Sequence, residues 1–373
     1  AFWLAEAGLD QAIKRIRQSP MNVDTTTPFL STVTIAQSLT APTWADPIPK
    51  FLYQVTSTYQ ATGSSAPTTL HTTVTTDATM TGLWANKDVT LAAGSWGLDD
   101  ADGDNEHAIT YTGDVRSASG TLYTVGVGYG TTIRGNVSIG PPKAAGYRAA
   151  YTNVVGSNPS TDGIYLEVED GASLPTGRVT GTKEAKSAVE APLPEVPALC
   201  AGRALDHVEV AAEQILEVRD GDLLDRSPRG DGRILVCASE LNLWEKARLT
   251  FRNPTMVYLG QHMGGISNWG TINVTIGTTP DDRGLTIISD KDMNWTEVGR
   301  LEGSIYAPYS DLELARTDED PYSESGGYEM QPYLRILGYI VADNIDIDGV
   351  NVSAHVSGAG TSHSAPQVKA WSY

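Results

Sequence analysis

AFWLAEAGLDQAIKRIR, residues 1–17, is the clearest helical pattern in the sequence. Apolar residues recur along it at helical spacing, and charged residues lie on the opposite side. The basic residues Lys14, Arg15 and Arg17 fall at its C-terminal end, where the helix dipole favours cations, and Pro20 ends the pattern. We therefore predict an amphipathic helix. Its apolar stripe is formed by Phe2, Ala5, Leu9, Ala12, Ile13 and Ile16.

The rest of the sequence has the composition of a β protein. Aromatic and β-branched residues alternate with Thr, Ser, Asn and Gly, and helical periodicity fades after residue 18. A chain of 373 residues can form two or three domains, and its net charge of −19 comes from 45 acidic against 26 basic residues. This balance argues against a general nucleic-acid or anionic-membrane surface, because phosphate binding needs clustered Lys and Arg.

Antiparallel strands are predicted shortly after the helix. Residues 51–60 alternate between apolar and polar, a Gly- and Pro-containing turn follows, and residues 69–76 alternate back. The Pro- and Thr-rich residues 19–50 are expected to form a long surface loop. The helix needs a partner for its apolar stripe, and the hairpin can supply one. Residues 1–76 are therefore predicted to be a helix-plus-hairpin domain.

From about residue 78, short apolar runs are separated by Gly, Asn and Asp. In the run 344–349, Ile345 and Ile347 share one face, and the polar residues between them share the other. Strands of this kind predict a large β-solenoid or β-helix-like domain, with a β-sandwich with irregular loops as the alternative. The Pro-rich segment 183–199 is predicted to be a linker that separates two solenoid-like parts, 77–182 and 200–373. The predicted fold class is mainly β, and α+β overall.

The helical segment resembles a known family of proteins. Its residues fit the pattern A-x-x-x-A-E-A-G-L-x-x-A, which is similar to the segment just after the membrane-spanning part of the helix in PilX-like minor pilins of type IV pili. The matching residues are Ala1, Ala5, Glu6, Ala7, Gly8, Leu9 and Ala12. The resemblance implies an apolar anchor in the inner membrane that later packs into the filament core. The sequence contains no apolar stretch of the ~20 residues that a spanning helix needs, so we expect the anchor to lie upstream of this fragment.

A second resemblance covers the C-terminal third. Residues 301–308 (LEGSIYAP), 311–314 (DLEL) and 337–349 (LGYIVADNIDIDG) are similar to a module of bacterial pilus-associated proteins with a G-x-I-Y-A-P turn, a short outer strand and a G-x-I-V-A strand. This module often follows an AEAGL-type helix. Together the two resemblances imply that Phe2, Leu9, Ile13 and Ile16 form a subunit-packing stripe.

The two cysteines, Cys200 and Cys237, fit either an exported protein with one disulfide or a cytosolic protein with two buried thiols. Their spacing matches neither a redox nor a zinc motif. The pilin-like helix and the Thr-, Asn- and Gly-rich composition favour export. We therefore predict a disulfide between Cys200 and Cys237.

The acidic segment 98–106 is a candidate Ca²⁺ site, because hard cations take several oxygen ligands from closely spaced carboxylates. Its candidate ligands are Asp100, Asp102, Asp104 and Glu106. The segment lacks the full EF-hand spacing, and a solvated acidic loop is the alternative. No other cofactor is predicted.

Other candidate sites carry less specific patterns. Asp290, Asp292 and the acidic residues of 317–322 could supply the acid and base of a glycosidase. Arg-Gly-Asp at 229–231 is a short motif that arises readily by chance. Five tryptophans within two residues of Asn, Gly or Asp could be exposed for sugar or partner stacking, or could cap a solenoid core. They are Trp84, Trp96, Trp244, Trp269 and Trp295.

These patterns lead to a prediction of function. We expect a non-enzymatic minor pilin, anchored in the inner membrane before assembly and displayed at the bacterial cell surface afterwards. Its partners would be other pilin subunits through the helix, and a surface glycan or protein ligand through the β-solenoid near the pilus tip. The alternatives are a carbohydrate-active β-helix enzyme and a DNA-uptake pilin, and the latter would need a basic groove that the overall charge does not indicate.

Overall fold

The structure, a computed structural model, describes part of the chain. The described residues are 1–18, 23–25, 27–79, 82–87, 89–92, 109–112, 115–117, 125–127, 131–134, 137–139, 164–166, 178–179, 183–185, 189–190, 193–227, 232–244, 246–260, 271–276, 279–280, 284–296, 300–315, 339–348 and 367–372.

The described part contains one helix, α1 (Phe2–Gln18), and is otherwise mostly β. The strands of the first half of the chain are β1 Thr32–Leu39, β2 Lys50–Tyr59, β3 Thr68–Thr79, β4 Gly82–Ala85, β5 Val89–Ala92, β6 Ile109–Thr112, β7 Val115–Ser117, β8 Val125–Val127, β9 Thr131–Arg134, β10 Val137–Ile139, β11 Ile164–Leu166, β12 Arg178–Val179, β13 Lys183–Ala185 and β14 Val189–Glu190. Those of the second half are β15 Asp206–Val210, β16 Ile215–Val218, β17 Ile234–Leu243, β18 Arg248–Phe251, β19 Thr255–Leu259, β20 Thr271–Ile276, β21 Thr279–Pro280, β22 Leu285–Ser289, β23 Met293–Thr296, β24 Arg300–Leu301, β25 Ser304–Ala315, β26 Tyr339–Asp348 and β27 Gln367–Ser372.

The chain divides into two compact units. Unit 1 comprises residues 1–80, 185–194 and 358–373, and unit 2 comprises 81–184 and 195–357. The predicted boundaries differ from this division, because unit 1 also takes in a piece of the predicted linker and the C-terminal strand β27. The predicted linker itself contains the short strands β13 and β14.

Unit 1 is a sheet with the strand order β14-β1-β2-β3-β27, and α1 packs on β1, β2 and β3. The predicted hairpin is confirmed, because β2 and β3 pair antiparallel from Tyr53 with Val74 to Tyr59 with Thr68. The prediction of a continuous loop over 19–50 is wrong. Within it, β1 pairs with β2 along its whole length, from Thr32 with Thr58 to Leu39 with Phe51. The prolines of that segment flank β1 and leave its backbone N–H groups free to pair.

Unit 2 is built on a long sheet with the strand order β13-β10-β7-β4-β26-β25-β22-β19-β17-β15. From β10 to β15, each neighbouring pair is parallel. Shorter parallel ladders accompany it, one of them formed by β16, β18, β20 and β24. The distance in sequence between paired residues varies, since Val208 lies beside Leu241 but Ile288 lies beside Tyr306.

The interior of unit 2 is apolar, as the alternation in the sequence predicts. Ile345 and Ile347 of β26 are buried, whereas Asp346 between them is exposed. The larger buried side chains include Trp84 and Tyr306. Trp84 therefore belongs to the core of unit 2 and is not exposed for stacking.

Two turns lie directly above one another in unit 2. In the turn Ala211–Gln214, the N–H of Gln214 donates to the carbonyl of Ala211 at 3.0 Å, and in the turn Trp244–Ala247 the equivalent hydrogen bond measures 2.8 Å. The third residue of each turn has a positive φ, 60° at Glu213 and 56° at Lys246. The two turns share one geometry, and they join the parallel pair β15–β17 to the parallel pair β16–β18.

The helix α1 is too short and too polar to cross a bilayer, and the structure has no other helix in the residues that it describes.

Candidate functional site

The first turn of α1 presents three large apolar side chains at the protein surface. Phe2 is 39% exposed, Trp3 77% and Leu4 38%. The rings of Phe2 and Trp3 meet edge to face, with their centroids 5.6 Å apart. The backbone N–H groups of Leu4 and Ala5 both lie 3.1 Å from the Ala1 carbonyl oxygen, so these side chains project from formed helix. We call Phe2, Trp3 and Leu4 the apolar first turn.

The remainder of the predicted apolar stripe is buried in unit 1. Leu9 and Ile16 are fully buried and Ile13 is 5% exposed, so these three predicted subunit-packing residues hold α1 on its own sheet. Phe2 is the exposed member of the predicted set. The sequence analysis did not single out Trp3 or Leu4. The sequence did contain a signal for them. Three consecutive large apolar residues, Phe2 to Leu4, cannot all lie on one face of a helix, so at least one of them must be exposed.

Small residues bring α1 close to strand β2. The Ser57 hydroxyl donates to the Ala5 carbonyl oxygen at 2.6 Å, and it accepts from the Ser31 hydroxyl, also at 2.6 Å. A Cβ atom added at Gly8 would lie 1.8 Å from the Ser31 Oγ and 2.9 Å from the Ser57 Oγ. The Ala-Glu-Ala-Gly-Leu segment is therefore the part of the helix where the backbone meets the sheet.

The C-terminal half of α1 is tied to the loop that precedes β1. The Arg15 guanidinium donates to the carbonyl oxygens of Asp24, Thr27 and Pro28 at 3.0, 2.7 and 3.2 Å. It also lies over the Phe29 ring, 3.9 Å from the centroid. This part of the helix is fixed by polar contacts in addition to burial, whereas the apolar first turn is exposed.

The acidic pair proposed as an enzymatic acid and base has structural contacts. Asp292 Oδ1 accepts a hydrogen bond from the backbone N–H of Asp311 at 3.0 Å. The Asp290 carboxylate lies near Lys291 and hydrogen-bonds with Tyr258. Burial, together with the charge of Asp290 and that hydrogen bond, raises the pKa of the Tyr258 hydroxyl.

Several predicted site residues lie outside the described part of the chain. These are the candidate Ca²⁺ ligands Asp100, Asp102, Asp104 and Glu106, the Arg-Gly-Asp motif at 229–231, the acidic segment 317–322, and Trp96 and Trp269. Among the residues that the structure does describe, no group of three or more His, Cys, Asp or Glu side chains could hold a metal ion.

The predicted disulfide is confirmed. Cys200, in a turn after the Pro-rich segment, is bonded to Cys237 in β17, and their Cα atoms are 5.8 Å apart. Both residues are buried in unit 2.

Comparisons of the chain with protein-family models, with curated proteins and with solved structures gave no match.

Proposed function

We propose that this chain is a non-enzymatic, minor-pilin-like subunit of a type IV pilus, and that its apolar first turn contacts the helices of neighbouring subunits. The observation that carries the proposal is the contrast along α1. Phe2, Trp3 and Leu4 are exposed, whereas from Ala5 onward one face of the helix is buried against the antiparallel strands β1, β2 and β3. Three adjacent apolar side chains exposed to water do not stabilise the fold of this unit. Contiguous exposed apolar side chains of this kind mark interaction surfaces.

The resemblance of residues 1–12 to PilX-like minor pilins indicates which partner contacts this surface, namely the helices of other pilin subunits. In that family the same helix continues toward the membrane and packs against other subunits in the filament core. On this basis the protein is anchored in the inner membrane before assembly and displayed at the bacterial cell surface afterwards. In this proposal, the upstream part of the helix lies in the filament core, and the apolar first turn lies where the helix leaves that core.

Unit 2 is, in this proposal, a β-solenoid that carries the ligand-binding surface of the subunit. The parallel pairing from β10 to β15 and the stacked turns at 211–214 and 244–247 support it. The unequal spacing between paired strands is tolerated because the connections between solenoid coils can vary in length. Adhesion or ligand binding would be the task of this unit.

The test of subunit packing uses two aspartate substitutions in the full-length protein. Phe2→Asp should leave the fold intact, because the side chain is partly exposed, but should keep the subunit out of filaments. Leu9→Asp should destabilise unit 1 by several kcal/mol, because it places an unpaired charge at a fully buried position. Thermal unfolding measures the stability of each variant, and immunoblotting of sheared filaments measures its entry into filaments.

Lys14→Asp is the matched control, since it adds a carboxylate to an exposed position of the same helix. It should reach filaments in near-normal amounts. A Phe2→Asp subunit that folds and enters filaments as well as this control would contradict the proposed role of the apolar first turn.

A further inference from the structure

The outer face of strands β15 and β17 in unit 2 carries a compact set of polar side chains. His207 lies beside Glu240 in the parallel register, and Glu209 lies beside Asn242. The residues that alternate with them point inward, since Val208 is 2% exposed. The alternation of a strand thus places four polar side chains together on the side that faces solvent.

Trp244 continues this row at the end of β17. It is 48% exposed, and its indole Nε1–H donates to Glu209 Oε1 at 2.7 Å. Its backbone N–H also donates to the carbonyl of Val210 at 3.1 Å, and its carbonyl closes the turn that ends at Ala247. Side chain and backbone are therefore both held, and about half of the residue's surface remains open to a ligand.

The polar members of the set are oriented by one another. Asn242 Nδ2 donates to Glu240 Oε1 at 2.9 Å. His207 lies between the two carboxylates, with Nδ1 3.3 Å from Glu240 Oε2 and Nε2 3.6 Å from Glu209 Oε2. The side chains of Glu209 and Glu240 are nevertheless 51% and 42% exposed, so their oxygens can still accept hydrogen bonds from outside the protein.

We propose that this face, formed by His207, Glu209, Glu240, Asn242 and Trp244, binds an uncharged saccharide. The C–H face of a sugar ring packs on the exposed indole, and the ring hydroxyls donate to the carboxylate and amide oxygens. A hydroxyl-to-carboxylate hydrogen bond is charge-assisted and hence among the stronger kinds. The exposed indole and the neighbouring oriented polar groups thus offer the two kinds of contact that a sugar ring makes, with its C–H face and with its hydroxyls.

The charges of the face select the class of saccharide. Two carboxylates lie at its centre, and the chain as a whole carries a net charge of −19. Sialylated, sulfated or phosphorylated glycans would therefore be repelled. Neutral hexose or N-acetylhexosamine chains meet no such penalty. The inference deepens the proposed function, on which it rests for its biological setting, by naming a ligand class for unit 2.

The experiment uses the purified chain and an array of neutral oligosaccharides, each printed beside its sialylated or sulfated counterpart. The wild-type protein should bind members of the neutral set, and binding should persist in 0.5 M salt, since it does not depend on opposite charges. Trp244→Ala should weaken that binding about tenfold or more, and Trp244→Phe should retain part of it. Thermal unfolding establishes that each variant is folded.

Tyr309→Ala is the matched control. Tyr309 is another aromatic residue of unit 2 with 50% exposure, and its removal should leave saccharide binding unchanged. Failure of the wild-type protein to bind any neutral saccharide would overturn the inference. So would binding confined to charged ligands, or equal binding by wild-type and Trp244→Ala protein. None of these outcomes bears on filament entry, which the Phe2→Asp variant tests separately.

Discussion

Gly8 is a residue whose lack of a side chain has a measurable consequence. A Cβ atom at this position would overlap the Ser31 hydroxyl and crowd that of Ser57. In an exposed helix Gly→Ala stabilises by about 1 kcal/mol, but inserting a methyl group into a filled contact costs about 1–3 kcal/mol. We expect Gly8→Ala to lower the free energy of unfolding, measured by denaturant titration, by up to about 2 kcal/mol, which is the contact cost less the gain in helix propensity.

A second substitution tests the cause. Ser31→Gly removes both atoms of Ser31 that the new methyl group would meet, so Gly8→Ala combined with Ser31→Gly should be more stable than the two separate effects predict. Simple additivity of the two variants would show that close approach of the helix to Ser31 is not the reason for Gly8.

At the scale of the structural element, the loop 219–227 is organised by one carboxylate. Asp225 accepts hydrogen bonds from the backbone N–H groups of Gly221, Ser227 and Leu235 at 2.8, 2.8 and 3.1 Å. The next residue, Arg226, forms a bidentate ion pair with Asp206 of β15. The loop is therefore held by hydrogen bonds to its own backbone and to that of β17, and by an ion pair to the first residue of β15.

These contacts set the pKa of Asp225. Burial raises the pKa, but the hydrogen bonds from Gly221, Ser227 and Leu235 outweigh it, so the pKa lies below its ordinary value of 3.8. The carboxylate thus stabilises the fold above the pKa of the unfolded chain, and this contribution is lost as the pH falls through the lower folded value.

Asp225→Asn tests this arrangement through the pH dependence of stability. An amide keeps one acceptor oxygen and turns its NH₂ group toward a backbone donor, so the variant should lose about 1–3 kcal/mol near neutral pH. The difference from wild type should be constant between pH 5 and 7 and should shrink below about pH 4. Glu213→Gln, on an exposed turn, is the control. A difference that stays the same at pH 3 would contradict the role given to the ionised Asp225.

Elements with a strong local periodicity could be predicted from the sequence, and those without one could not. The helix stripe and the β2–β3 hairpin follow from local periodicity, as does the burial of Ile345 and Ile347. The strand β1 was missed because Thr and Pro content outweighed a short alternation. The exposed Trp3 was missed because periodicity identifies the buried side of a helix and says little about its free end.

At the scale of the whole molecule, the order of strands in unit 2 is not the order of the sequence. Residues 82–185 run from β4 outward to β13, and the chain then resumes at the opposite end of the same sheet with β15. From there the strands return through β25 to β26, which pairs with β4. No local sequence pattern predicts this order, because it depends on strands that are far apart in the chain. Ile340 of β26, for example, pairs with Leu83 of β4.

The disulfide lies at the end of the long sheet where the chain enters β15. Cys200 precedes the terminal strand β15, and Cys237 belongs to its neighbour β17, so the bond fastens the end of the sheet to the next strand inward. Among the strands that the structure describes, β15 pairs with β17 only, and a terminal strand is more readily lost than an internal one. The crosslink spans 37 residues, for which the chain-entropy model gives about 4 kcal/mol.

We therefore expect dithiothreitol, or replacement of both cysteines by serine, to lower the free energy of unfolding of unit 2 by about 4 kcal/mol in guanidinium titrations. Dithiothreitol should have no further effect on the doubly substituted protein, which controls for other actions of the reductant. Proteolysis of the reduced protein should begin near residues 200–210, because release of Cys200 frees the segment that leads into β15. Alkylation of both cysteines in the absence of reductant, or equal stability of the oxidised and reduced chains, would contradict this account of how the end of the sheet is held.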